Sequence, residues 1–188
     1  PKSTLSYWLR RIKLSESQTQ KLKDRRLKAA RANSENRILK TYQKIEEIRN
    51  SSADDLKKIS KRELWLIGVM LYWAEGGKTR RAVRFSNSDP RMIKIMMAFF
   101  RRICAVPETK FRGHIHIHPH LDYVGAENYW SFISGIPRDQ LYKTYRIPSK
   151  SSQGKKDSLP YGTFDVYVLS TELFYKINGW AKGIFSSY

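Results

Sequence analysis

Apolar and polar positions divide this 188-residue chain into two parts of different texture. From Ser15 to Asn50 the residues are mostly polar and include no Gly or Pro. Leu22, Ala29, Ile38, Tyr42, Ile45 and Arg49 form only a loose stripe there. The pattern predicts one long helix, or two that meet near Asn33-Ser34. Ser51-Ser52-Ala53-Asp54-Asp55 reads as a stop and a fresh N-cap. Pro1 to Arg11 reads as a short helix, with Leu5, Trp8 and Leu9 at i, i+3 and i+4 on one face. Residues 1–60 are therefore expected to form an all-helical arm.

Beyond residue 60 the pattern alternates. Val83 and Phe85 face one way and Arg84 and Ser86 the other, which is the period of a strand. Asn87-Ser88-Asp89-Pro90 caps a helix running to about Cys104, with Met92, Ile95, Met96, Phe99, Phe100 and Ile103 as its apolar stripe. Lys110 to His118 reads as a strand and Tyr123 to Ser134 as a helix stopped by Gly135-Ile136-Pro137. Leu141 to Ile147 reads as extended, Ser149 to Tyr161 as a Ser/Lys/Gly loop, and Thr163 to Leu169 as a strand. The last helix runs from Thr171 to about Phe185. Helices interleaved with amphipathic strands predict an α+β domain over residues 61–188, one layer of each.

One stretch breaks the amphipathic rule. Leu64 to Ala74 is uncharged throughout and runs into Glu75, Gly76 and Gly77. It is too short for a membrane span, which needs ~20 apolar residues. As a helix with no polar face it would be buried all round. The glycines stop it, so Glu75 falls in the last turn, where the helix dipole is negative. A carboxylate there wants a cation, and Lys78 or Arg80 could supply one within the chain.

The same residues carry a resemblance. An apolar helix ending in Ala74-Glu75-Gly76 resembles the LAGLIDADG family of homing endonucleases and the regulators that reuse their fold. Leu71, Ala74, Glu75 and Gly76 match that motif, with Glu in place of Asp. Met70 stands where the family has a glycine, and the helix glycine here is Gly68. The resemblance spans Lys61 to Tyr188. It implies a LAGLIDADG-like domain, helices packed on one face of a curved antiparallel sheet, with the open face lying in a DNA groove. A helix at 123–134 would make this an elaborated member. The family pairs two such helices. With one per chain, the implied assembly is a homodimer with Gly68, Leu71 and Tyr72 at the seam. Glu75 is then the implied catalytic and metal-binding residue, two copies holding Mg²⁺ for phosphodiester hydrolysis.

Charge agrees with a polyanion partner. Lys and Arg outnumber Asp and Glu 36 to 17, a net charge of +19. Residues 1–60 hold 16 basic and 7 acidic residues, and 61–188 hold 20 and 10, so two contact surfaces are expected. Double-stranded DNA is the expected partner, although basic charge alone admits RNA. The single Cys104 rules out an internal disulfide framework. Without a membrane-length apolar run or an opening signal peptide, the expected location is intracellular, cytoplasm or nucleoid.

The contact residues follow from the pattern. Pro1 to Arg11 is similar to the recognition helix of a helix-turn-helix module, which would put Lys2, Ser3, Thr4 and Arg10 on DNA. His114, His116 and His118 share one face of their strand, opposite Ile115 and Ile117. They read either as a metal site or as phosphate and base contacts. The second is preferred, because no carboxylate or Cys at ligand spacing accompanies them. Arg84, Arg112, Tyr167 and Asp165 belong to the same face. Lys150, Lys155 and Lys156 suit backbone contact from a loop, and Gln140 and Lys143 are further polar candidates. Two functional readings result: a Mg²⁺-dependent DNA endonuclease, and a non-catalytic DNA-binding transcriptional regulator on the same fold.

Overall fold

The computed structural model of the chain describes residues 2–56, 58–79, 81–146 and 159–187. The chain divides into two units, Pro1–Lys58 and Ile59–Tyr188. In the first, helix α1 (Lys2–Trp8) runs into a 3₁₀ turn, Leu9–Arg11. Helix α2 (Glu16–Asp54) follows as a single unbroken element of 39 residues. Of the one or two helices expected it is one, unbroken at Asn33-Ser34; it stops within Ser51–Asp55 as expected, but the new N-cap expected there is corrected to Ser60. Asn33-Ser34 contains no Pro or Gly, and one Asn or Ser costs a helix interior only about 0.5 kcal/mol. The Ser51 hydroxyl turns inward and donates to the Ile48 carbonyl, so it joins the helix instead of capping a new one. The caps that do form are Ser15 with Gln18 and Ser60 with Glu63, each a reciprocal capping box.

The second unit begins with α3 (Lys61–Glu75), followed by β1 (Val83–Asn87), α4 (Pro90–Arg102) and β2 (Phe111–Ile117). Then come α5 (Tyr123–Ser134), β3 (Tyr145–Arg146), β4 (Thr163–Val168) and α6 (Thr171–Ser186). Asp89 caps α4 with Pro90 behind it, Asp122 caps α5 and Ser170 caps α6. Gly135 ends α5 at φ +70°, a conformation glycine adopts without steric cost.

The sheet order is β1-β4-β2-β3. β4 is antiparallel to both β1 and β2, whereas β3 pairs parallel to β2 through His116↔Tyr145 and Ile117↔Arg146. The sheet is thus mixed, which corrects the expected antiparallel one. A chain leaving β2 through the crossover helix α5 returns in the same direction. The α+β class stands, with helices on one sheet face.

The inner face is closed by Val83 and Phe85 of β1, Phe111, Ile115 and Ile117 of β2, and Phe164, Val166 and Val168 of β4, all buried. Above them lie Met96, Met97, Phe99 and Phe100 of α4, Trp130 of α5 and Ile177 of α6. Trp130 stacks on Phe164 at 5.1 Å, and its indole N–H donates to the Tyr161 carbonyl at 2.7 Å. No helix among the described residues is long and apolar enough to cross a membrane.

Helix α3 is not buried all round. Leu64, Gly68, Val69 and Tyr72 face the core, while Met70 and Trp73 are 38% and 47% exposed. Leu66, Met70 and Ala74, four residues apart, line the flank opposite the core, with Leu66 half-buried. The core of one chain covers only the inner flank of the helix.

Candidate functional site on the open face of the sheet

Strand alternation, once registered, brings the polar residues of β1, β2 and β4 together. Arg84 pairs with Tyr167 across β1 and β4; Arg112 pairs with Tyr167 and His114 with Asp165 across β2 and β4. All five point away from the helices. Asp165 lies at the centre and is 1% exposed, covered by its neighbours.

One oxygen of Asp165 takes all the bonds. Arg84 donates to Oδ2 from Nη2 at 2.8 Å and from Nε at 3.2 Å. The His116 Nε2 lies 2.9 Å from the same oxygen and the Tyr167 hydroxyl 3.3 Å from it. An ionised carboxylate only accepts, so the ring proton of His116 sits on Nε2. The other oxygen, Oδ1, is buried and has no hydrogen-bond partner. Arg84 also lies over the Tyr167 ring at 5.5 Å, which fixes its fork above the acid.

The imidazoles are close-set. The His114 and His116 rings are 4.4 Å apart, with Tyr142 edge-on to His114 and Tyr145 edge-on to His116. Burial, and then the neighbouring His116, hold the His114 imidazole below its ordinary range. One ligand atom from each of His114, His116 and Asp165 lies within 4.8 Å of the other two. The expectation that no carboxylate accompanies the histidines is therefore corrected. Asp165 is 49 residues from His116 in sequence and meets it only through the β2–β4 register. The available signal was an acid within Phe164-Asp165-Val166-Tyr167-Val168, a strand otherwise without charge.

Other expected contact residues fall elsewhere. His118 lies just past the end of β2 and stacks on His120 at 5.9 Å. The Arg112 Nη1 donates to the carbonyls of Thr109 and Phe111, both at 2.7 Å. Lys2, Ser3 and Arg10 are exposed and Thr4 half-buried in the first unit. Lys150, Lys155 and Lys156 lie outside the described residues.

Glu75 ends α3, exposed, with no hydrogen bond or ion pair to any described residue. Lys78, a candidate partner, sits instead over the Trp73 ring at 5.6 Å. The backbone after Glu75 runs along β1: Gly76 bridges to Phe85 and the Gly77 N–H donates to the Arg84 carbonyl at 2.8 Å. Tyr72 reinforces this turn from below, its hydroxyl donating to the Gly77 carbonyl, and burial pushes its phenol up to about 12. A cleft of about 270 Å³ there is lined by Gly77, Thr79, Ala82, Arg84, Tyr167 and Leu169. Arg84 and Tyr167 thus line this cleft and also hold Asp165.

Gly68 and Tyr72, expected at a seam between two copies, face the chain's own core. A Cβ at Gly68 would overlap the Phe99 ring, so the missing side chain admits α4 of the same chain. Leu71 is half-buried against the core cluster. No family profile, curated protein or solved structure matches the chain.

Proposed function

We propose that this chain is a double-stranded-DNA-binding protein of the homing-endonuclease type, which acts as a homodimer and hydrolyses phosphodiesters with Mg²⁺ at Glu75. The observation that carries the reading is the open sheet face. A sheet sealed by helices on one side presents Arg84, Arg112, His114, His116 and Tyr167 on the other, in a strongly basic chain. Cationic, aromatic and imidazole groups on one surface suit phosphate and base-edge contacts.

The dimer half of the reading rests on the outer flank of α3. Leu66, Met70 and Ala74 repeat at helical spacing, with Met70 38% exposed, and a second copy would cover them. We place the seam on this flank and not at Gly68 and Tyr72, because the Phe99 ring of the same chain fills the space beside Gly68.

Mg²⁺ prefers carboxylate and water oxygens, and Glu75, exposed and paired with no described residue, is such a donor. One carboxylate is too few, and Glu75 belongs to no group of three candidate ligands among the described residues. The second carboxylate would come from the partner copy. When bound, the ion would activate water and stabilise the leaving oxygen. Glu75 would hold it, while Arg84 and Tyr167, which border the cleft at Gly77, would position the phosphate backbone.

The regulator reading draws on the same position of Glu75: the described residues assemble no cage of ligands around it. A nicking assay on supercoiled plasmid carrying bound target, with Mg²⁺ or Mn²⁺, separates the two. The nuclease reading expects cutting by the wild type and none by Glu75→Gln, with DNA affinity in EDTA held or raised. Wild-type protein that binds its target and never cuts leaves the regulator.

A further inference from the structure

We propose that His114, His116 and Asp165 form a second, separate metal site, for a divalent transition ion of the zinc class, on the open face of the sheet. Two imidazoles and one carboxylate, with a ligand atom of each within 4.8 Å of the others, are a donor set that transition ions favour over Mg²⁺. The site is held from behind by register: His114 sits directly opposite Asp165 on β4, and His116 follows two residues on along β2.

The second observation is the orphaned oxygen. Asp165 is 1% exposed and its Oδ1 has no partner, although native structures pair nearly all buried polar atoms. With no hydrogen bond to any described residue, Oδ1 is the oxygen we assign to the ion. Oδ2 keeps Arg84 and Tyr167 as outer partners that orient the carboxylate. For His116 to join, its ring proton moves from Nε2 to Nδ1, which frees the Nε2 lone pair without any net loss of a proton. Three protein ligands leave a tetrahedral ion one position open toward solvent, on the face that also carries Arg84 and Arg112. That position suits an anionic oxygen, such as phosphate.

This site is independent of Glu75. The full chain without a histidine tag, stripped with chelator and dialysed, is titrated with Co²⁺ and then Zn²⁺ alone. One equivalent of Co²⁺ is expected to give visible d–d absorption that one equivalent of Zn²⁺ abolishes. His114→Ala and His116→Ala should each weaken Zn²⁺ binding by at least the ~10–100-fold typical of losing an outer partner. The double variant His118→Ala/His120→Ala should bind as the wild type does. Circular dichroism melts check that each variant is folded. The proposal is overturned if the wild type binds Zn²⁺ no tighter than folded His116→Ala. It is equally overturned if binding is lost in the His118/His120 double variant and kept in His114→Ala.

Discussion

Two carboxylates of the α+β unit sit in opposite circumstances. Glu75 is exposed at a helix end and pairs with no described residue. Asp165 is sealed inside the polar face, with Arg84, His116 and Tyr167 all on one of its oxygens. The first is marked by its neighbours in sequence, a long apolar run and two glycines. The second has no such flag and acquires its partners only when three strands come into register. One acid thus has no described partner, and the other has partners on one oxygen only. Glu75 should matter to function and little to stability, whereas Asp165 and its partners should matter to both.

The largest effect is expected in the helix that delivers Glu75. Gly68→Leu drives a branched side chain into Phe99, so the cost should exceed the ~1–3 kcal/mol of ordinary overpacking and abolish the cooperative melt. A Gly68→Leu protein that stays folded but becomes monomeric would return Gly68 to the seam.

Next comes the comparison itself. Arg84→Ala leaves the Asp165 carboxylate, 1% exposed, without its two guanidinium bonds and should cost about 2 kcal/mol in denaturant melts. Glu75→Gln should stay within about 0.5 kcal/mol of wild type. Equal costs for the two would erase the distinction between them.

Met70→Lys tests the outer flank of α3. The charge points to solvent in one chain, so the melting curve should hold while sedimentation shifts from dimer to monomer. A wild type that is monomeric at high concentration removes the seam altogether. His116→Ala removes one partner of Asp165, should cost no more than about 1 kcal/mol of stability, and should lower duplex affinity in EDTA. Unchanged affinity would take the open face out of DNA contact.

What could be read in advance follows the range of the interactions involved. Helices α4, α5 and α6 and strands β1, β2 and β4 announce themselves through local periodicity and caps such as Asp89-Pro90, and they appear within a residue or two of the expected bounds. β3 pairs through only two residues and its direction depends on the crossover before it, which no local pattern encodes. The uncharged faces of α3 signalled burial, but sequence does not say whether the covering surface belongs to the same chain. Phe99 covers the Gly68 side, and Met70 stays exposed. At the site, alternation put Arg84, His114, His116, Tyr167 and Asp165 on one face. Alternation does not give register, so the meeting of Asp165 with both histidines was out of reach.

The central claim, that this chain binds duplex DNA through its cationic surfaces, is tested most directly by affinity against salt. The measurement is made in EDTA so that no metal site contributes. Each phosphate neutralised should steepen the slope of log K on log salt by about −0.9, and several contacts should give about −3 or steeper. A slope near zero, or no binding at low salt, contradicts the claim.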